Sequence, residues 1–306
     1  MRADTFRLKA DDGAELHIYS WLPDEAPRAI FQIAHGLAEH GARYARLAQA
    51  LTARGFGVYA NDHRGHGQTA GVGDLGLFAE RDGWRKCISD LWTLNRRIAG
   101  DHPEAPVILF GHSMGSFMAQ DFVADHSDAI AALVLSGSNG PPPAIAGIGR
   151  MIARIERLRL GARGRSALLQ AMMFGEFNKR FKPARTEFDW LSRDPAEVDA
   201  YVADPLCGFE FTVQLAVDLL DALGPLLKPE RLARIRKDLP VYIFSGSDDP
   251  VGANLQALAD AYRAAGLTHV DMRLYPGARH ETLNETNRDE VVSDLVRWSE
   301  TAIAGS

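Results

Sequence analysis

Along this chain, short apolar runs alternate with longer stretches in which apolar residues recur every three or four positions. Thr5–Leu8 and Glu15–Trp21 are β-rich and flank Asp11-Asp12-Gly13, a turn signal that predicts an opening antiparallel hairpin. Further runs follow at Ala29–Ala34, Gly57–Ala60, Val107–Phe110, Ala132–Ser136, Val241–Ser245 and Val270–Tyr275. Each is short and mostly apolar, as strands covered on both faces must be. Between them, Tyr44–Arg54, Asp82–Ile98, Ser116–His126 and Asn254–Ala265 show helical spacing. The alternation predicts an α/β fold, an eight-stranded and mostly parallel sheet with helices on both faces.

The rhythm breaks once. After Ser136-Gly137-Ser138-Asn139-Gly140-Pro141-Pro142-Pro143 no strand pattern returns until Val241. That stretch is helical and irregular, and too long for a simple crossover. An inserted helical cap over the ends of the strands accounts for it, at residues 140–222 with Pro141–Pro143 as a stiff entry hinge. Residues 1–139 and 223–306 then form the core.

Composition narrows the class. A chain of 306 residues, 46% hydrophobic and 24% charged, has the make-up of an ordinary globular protein with one large domain and an insertion. Its net charge of −6 argues against nucleic acid as a partner, because phosphate binding needs a basic face. Cys87 and Cys207 are isolated, at neither metal-ligand nor disulfide-framework spacing, and are expected as buried free thiols in a reducing compartment. Met1–Phe6 lacks the apolar stretch of a secretory signal, and no run of about 18 apolar residues occurs; a soluble, cytoplasmic protein is expected.

The chemistry lies at Gly111-His112-Ser113-Met114-Gly115, between the strand Val107–Phe110 and a helical segment beginning near Ser116. A bare G-x-S-x-G is weak, but strand, sharp turn and helix in that order make a nucleophile elbow. The flanking glycines remove side chains that would clash in so tight a turn. A serine hydroxyl needs a base, and the base needs an orienting carboxylate. Strand Val241–Ser245 runs into Gly246-Ser247-Asp248-Asp249-Pro250, which offers two acids; the proline holds Asp249 extended and favours it. Strand Val270–Tyr275 runs into Pro276-Gly277-Ala278-Arg279-His280, which offers the base. All three roles fall just past the C-terminal ends of strands, where open α/β sheets carry their sites. Of the other histidines, His269 is at the wrong end of its strand, His112 is expected to point away from the nucleophile, and His102 and His126 are expected as exposed helix-end residues. The N–H of Met114 is one candidate donor to an oxyanion; the N–H of Leu37, in the loop where Gly36 lets the backbone turn inward, is the other.

These residues resemble the monoacylglycerol lipase and lysophospholipase L2 branch of the α/β-hydrolases, a group related to the serine aminopeptidases. His35-Gly36-Leu37-Ala38-Glu39-His40-Gly41-Ala42-Arg43-Tyr44 is similar to that branch's oxyanion loop, and Asn61-Asp62-His63-Arg64-Gly65-His66-Gly67 to its second loop motif. Glu197-Val198-Asp199-Ala200-Tyr201-Val202-Ala203-Asp204-Pro205-Leu206 looks like its cap signature. The resemblance implies an α/β-hydrolase fold, with Ser113 as nucleophile, Asp249 as acid, His280 as base, and Leu37 and Met114 as oxyanion donors. Between Ala144 and about Trp190 no motif matches.

Between Gly140 and Arg185 ten basic residues, among them Arg150, Arg154, Arg157, Arg159, Arg163 and Arg165, face only Glu156 and Glu176. Ile145, Ile148, Ile152 and Ile155 recur at helical spacing beside them and are expected to pack over the core, and the basic charge raises the prospect of peripheral contact with an anionic membrane. Met172, Met173, Phe174 and Phe177 are candidates for an acyl tunnel. The expected activity is hydrolysis of a carboxylic ester, a monoacylglycerol or similar acyl ester, through an acyl-serine, with neither metal nor cofactor. Lysophospholipase, aminopeptidase or amidase activity on the same scaffold, and a non-catalytic binding protein of this fold, are the alternatives. A dehalogenase or epoxide hydrolase would need Asp where Ser113 stands.

Overall fold

The computed structural model describes residues 1–71, 73–142 and 146–304. Eight strands form one sheet: β1 (Arg2–Lys9), β2 (Glu15–Leu22), β3 (Ala29–Ala34), β4 (Phe56–Asn61), β5 (Val107–His112), β6 (Ala132–Ser136), β7 (Val241–Gly246) and β8 (Val270–Tyr275). Their order is β1-β2-β4-β3-β5-β6-β7-β8, antiparallel from β1 through β4 and parallel from β4 onward. The predicted hairpin is β1–β2, longer at its start than the pattern suggested.

Alternation along each central strand divides the core in two. Leu109, Leu133 and Ile243 point to one face, where α2 (Gly83–Asp101), α3 (Met114–His126) and α9 (Leu255–Ala264) cover them. Ile108, Phe110, Val134 and Phe244 point to the other, beneath α1 (Ala45–Thr52) and α10 (Arg288–Ala304). Burying each such side chain is worth about 1.5–3 kcal/mol, so the parallel strands are held from both sides. Helix α10 was not apparent in the sequence pattern. Its buried stripe of Val291, Asp294, Leu295, Val296 and Ser299 mixes polar with apolar residues and so dilutes the periodicity.

Between β6 and β7 lie α4 (Ala146–Leu160), α5 (Ala167–Phe174), α6 (Pro195–Ala203), α7 (Val213–Leu223) and α8 (Pro229–Leu232), with no strand among the described residues. Capping residues start several of them: Ser166 accepts from Leu169 N–H, Asp194 from Ala196 N–H with Pro195 following, and Thr212 from Leu215 N–H. Of the expected hinge, Pro143 lies outside the described residues, as does Ile145.

Helix α4 bears out the expectation for Ile152, which packs against the core, and corrects it for Ile148 and Ile155. It packs on α7 through a face that buries Ala153 and Glu156, the carboxylate of Glu156 being held by Arg159 and Ser166. Ile148, Met151, Ile155 and Leu158 consequently face outward, more than half exposed. The basic charge is also less free than composition implied, since Arg154 pairs with Asp221, Arg159 with Glu156, Arg163 with Asp74 and Glu80, and Arg185 with Asp199. His102 and His126 are half-buried rather than exposed. Tyr59 hydroxyl meets His102 Nε2 at 2.9 Å, and the ring of His126 stacks on Trp92 at 4.1 Å. Cys87 and Cys207 are free and buried. No helix of the described residues is long and apolar enough to cross a membrane.

Candidate active site

Strand β5 ends at His112 and α3 begins at Met114, leaving Ser113 to make the whole turn at φ 51°, ψ −119°. A non-glycine residue held there stores about 1–3 kcal/mol of backbone strain, which the surrounding packing must sustain. Glycine is required on both sides. A Cβ at position 111 would stand 2.4 Å from the carbonyl oxygen of Gly115, and one at position 115 would stand 2.0 Å from that of Ala34. The turn sets Ser113 in the wall of a cavity of about 500 Å³ that His280 also lines.

His280 comes from the loop after β8, and Asp249 from the loop after β7. Close backbone approach joins the two loops: Asp248 N–H donates to Ala278 oxygen at 3.0 Å, and a Cβ at Gly246 would lie 1.9 Å from that same oxygen. His280 Nδ1 lies 3.0 Å from each carboxylate oxygen of Asp249. An ionised carboxylate only accepts, so Nδ1 carries the proton and Nε2 keeps its lone pair. Asp249 accepts in addition from Ser245 hydroxyl and from Val251 N–H. Burial pulls the His280 pKa down, but the charge and hydrogen bond of Asp249, with Glu281 and Glu39 nearby, outweigh it and leave it raised. Burial likewise pushes the Asp249 carboxyl up, and His280, Ser245 and Val251 outweigh it and hold it below the ordinary carboxylate range. Of the two candidate acids, Asp249 meets the histidine and Asp248 does not. Ser113 and His280 line one cavity without a direct hydrogen bond, a pairing that commonly tightens only when substrate binds.

The loop after β3 passes over Ser113, close enough that a Cβ on Gly36 would lie 3.3 Å from Ser113 Cβ. Buried hydrogen bonds hold it there. His63 N–H donates to His35 Nε2 at 2.9 Å, which fixes the His35 proton on Nδ1, 2.8 Å from Gly36 oxygen. Burial foremost, with the neighbouring His63 and His66 adding to it, holds the His35 pKa well below its ordinary value, so the ring is neutral and can play both roles. Gly36 N–H donates to Glu39 Oε1, and Ala38, at φ 56°, receives Gly208 N–H and Tyr201 hydroxyl on its carbonyl. Among the described residues no acceptor engages the N–H of Leu37 or of Met114.

Several contributors escaped the sequence reading. His112, expected to point away, packs its ring 4.8 Å from that of His280 and lines the same cavity, because Gly137 (φ 57°) leaves room for both. Arg43 is clamped between Glu39 and a two-pronged contact to Glu281, all at 2.7 Å, with its guanidinium 4.9 Å from the centre of the Tyr201 ring. Burial raises the Glu281 carboxyl, but Arg43 outweighs it and brings the pKa to about 2. Glu39 and Arg43 stand four residues apart within the His35–Tyr44 motif, a signal that could have marked them; Glu281 is 238 residues from Arg43 and carried none. Among the tunnel candidates only Phe174 lines the cavity. Phe177 packs 4.9 Å from Trp190, Met172 is largely exposed, and Met173 leans on the core. Phe188, Trp190, Leu191 and Phe209 complete an apolar wall, and the exposed Glu187 and Glu210 also border the cavity. A second cavity, of about 360 Å³ near α1 and α10, shares Glu39, His112 and Glu281 but reaches neither Ser113 nor His280.

Residues 25–287 match the protein-family model described as serine aminopeptidase, S33. Monoacylglycerol lipase of Mycolicibacterium smegmatis is 32% identical over 288 residues, spanning 91% of this chain and 90% of that protein. Monoglyceride lipase of Rattus norvegicus is 29% identical over 304 residues, spanning 96% and 89%. Among solved structures, a highly thermostable carboxyl esterase from Bacillus coagulans superimposes with a TM-score of 0.91 at 27% identity, covering 99% of both chains. A soluble variant of monoglyceride lipase from Saccharomyces cerevisiae, at 21% identity and a TM-score of 0.75 over 99% of this chain and 97% of that one, shares the fold.

Proposed function

This chain belongs to the serine aminopeptidase, S33 family of the α/β-hydrolases, within its monoacylglycerol lipase-like branch, and from that premise we propose that it hydrolyses monoacylglycerols through an acyl-serine formed on Ser113. The relatives support carboxylic ester hydrolysis: one is named monoacylglycerol lipase, one monoglyceride lipase and one carboxyl esterase. The observation that carries the mechanism is the Asp249–His280 pair opening on the same apolar cavity as Ser113, beside the two unengaged N–H groups of Leu37 and Met114.

The steps follow from the geometry. His280 Nε2 takes the Ser113 proton as the hydroxyl oxygen attacks the ester carbonyl, and Asp249 stabilises the imidazolium that forms. The carbonyl oxygen, now anionic, receives the N–H groups of Leu37 and Met114. The imidazolium returns its proton to the departing alcohol, leaving the acyl-serine. Water activated by His280 then releases the fatty acid and restores the hydroxyl. We read residues 140–222 as a cap over the strand ends, contributing Phe174, Phe188 and Trp190 to the acyl side of the cavity. The outward row of Ile148, Met151, Ile155 and Leu158 on α4 is the face of that cap suited to a lipid surface. Co-sedimentation with neither anionic nor zwitterionic vesicles would remove that role.

One observation favours a second reading. Glu187 and Glu210 border the cavity with no cation paired to either among the described residues, and a free amine would suit them, as an aminopeptidase requires. Measuring kcat/KM for a chain-length series of monoacylglycerols, lysophosphatidylcholine and an aminoacyl anilide separates the readings. Monoacylglycerol should be the preferred substrate; faster turnover of the anilide overturns the ester assignment.

A further inference from the structure

We propose that His40, Asp204 and Cys207 form a zinc-binding site that ties the oxyanion loop to the helical insertion. One donor atom from each residue lies within 4.8 Å of the other two. Imidazole, carboxylate and thiolate are the ligand types zinc takes, and three of them with a position left for water is an established pattern for this ion. Tetrahedral zinc, bound at about 2.0 Å to nitrogen and oxygen and about 2.3 Å to sulfur, sets its ligands about 3.3–3.6 Å apart. The ligand atoms would therefore draw together by up to about 1.5 Å to close the site.

The side chains are already organised for this. His40 Nε2 and Asp204 Oδ2 stand 2.9 Å apart, slightly closer than the ion would hold them. The other ring nitrogen of His40, Nδ1, is buried with no partner, although the residue is only 7% exposed. Nδ1 is thus free to hold the ring proton when Nε2 takes the ion. Cys207 is 8% exposed, and its thiol has no hydrogen bond among the described residues. The chain from Asp204 to Cys207 is itself a turn: Cys207 N–H donates to Asp204 oxygen at 3.0 Å, and Leu206 N–H to Asp204 Oδ1 at 2.8 Å. Gly208 N–H donates to Ala38 oxygen at 2.9 Å, which fastens this turn to the oxyanion loop two residues before His40. Asp204 is half-exposed and gives the ion its way in from solvent. Coordination exchanges the S–H bond of Cys207 for S–Zn and releases that proton to solvent, while the His40 proton that faces Asp204 passes from Nε2 to the unpartnered Nδ1 and frees the Nε2 lone pair for the ion. The bound ion would join the loop that carries the Leu37 N–H to the segment that carries Tyr201.

Titration of the metal-free full-length protein with Co²⁺, which reports thiolate ligation optically, tests the site. One equivalent should develop a near-ultraviolet sulfur-to-cobalt band with intense visible bands of tetrahedral cobalt, and one equivalent of Zn²⁺ should displace them. Cys207→Ser should lose the sulfur band and bind at least tenfold more weakly. Asp204→Asn should keep the band with weakened affinity, and Cys87→Ser should behave as the parent. Zn²⁺ should raise the thermal midpoint of the parent and not of Cys207→Ser, with circular dichroism confirming that each variant is folded. No sulfur band at one equivalent, a band unchanged in Cys207→Ser, or an equal thermal response in parent and variant would each overturn the proposal.

Discussion

Replacing Asp249 with Asn keeps the size of the side chain and removes the charge that His280 meets at 3.0 Å. In the proposed mechanism the imidazole becomes a cation as Ser113 loses its proton. Two unit charges at that contact in an effective dielectric of about 20 attract by about 5 kcal/mol, and spreading the charge over the ring lowers this to about 4 kcal/mol. At about 1.4 kcal/mol per decade, kcat/KM falls by about a thousandfold from this effect alone. A second effect follows from the hydrogen bonds around the carboxylate. Ser245 hydroxyl donates to one oxygen of Asp249 and Val251 N–H to the other, so an Asn that turns its oxygen to either donor puts an –NH₂ at one of the two positions that His280 Nδ1 meets at 3.0 Å. Where the –NH₂ takes that contact, Nδ1 accepts and the ring proton moves to Nε2, the atom that the proposed mechanism uses as base. The combined loss should be about ten-thousandfold, the scale seen when the equivalent change is made in a serine protease.

The assay is the pH profile of kcat/KM on a soluble p-nitrophenyl ester for parent and Asp249→Asn. In the parent the rate should rise with pH through the His280 pKa, which Asp249 holds above 6.5. In the variant burial acts without that opposing charge, so the acid limb should move to lower pH even as the plateau drops. A folded variant with a plateau within tenfold of the parent, or with an unmoved acid limb, would refute the role given to Asp249.

Three further outcomes follow from the same contacts. Gly115→Ala sets a Cβ 2.0 Å from Ala34 oxygen, backbone against backbone, and should lower the thermal midpoint by well over 10 °C or prevent soluble expression. Arg43→Ala leaves Glu39 and Glu281 buried without their cation and should cost about 3–5 kcal/mol in urea unfolding at neutral pH. Because burial and Arg43 leave the Glu281 pKa at about 2 in the fold against 4.5 ordinarily, its stabilising share is present above 4.5 and is lost as pH falls toward 2, so parent and variant should converge between pH 4.5 and about 2. Asp218, half-buried, has its carboxyl pushed up to about 6 by burial first and by Asp221 and Asp82 next, against a hydrogen bond from Gln214. A raised carboxyl costs stability as pH rises through 3.8 to about 6, so Asp218→Asn should gain about 1 kcal/mol at pH 8, discounted for solvent screening, and little at pH 4.

What the sequence reveals and what it hides divide along physical lines. Ala29–Ala34 and Ala132–Ser136 are strands with the bounds that their apolar runs predict, because residues confined between two helix layers leave little room for polar side chains; Val270–Tyr275, at the sheet edge and only partly covered, has its predicted bounds while carrying Asp271 and Arg273. The elbow was legible because its glycines answer a local steric demand that neighbouring residues alone impose. Helix α4 was legible as a helix and misread in direction: periodicity marks an apolar face but does not say what covers it, and here the buried contact is made by Ala153 and a neutralised Glu156. His112 was dismissed on the local geometry of its turn. Its place beside His280 depends on the end of β5 and the loop after β8, with two strands between them, converging at the open backbone of Gly137. The Glu39–Arg43–Glu281 clamp is long-range as well, and its last member carries no motif of its own.

The central claim is that Ser113 carries the acyl group between attack and release. The direct measurement is acid-quenched turnover of a monoacylglycerol, followed by peptide mass spectrometry of the parent and of Ser113→Ala. The account predicts the mass of the fatty acyl group on the peptide containing Ser113, appearing within the first turnover, and neither adduct nor hydrolysis in the variant. Undiminished hydrolysis by Ser113→Ala, or an acyl adduct on another residue that forms and decays at the rate of turnover, would contradict it.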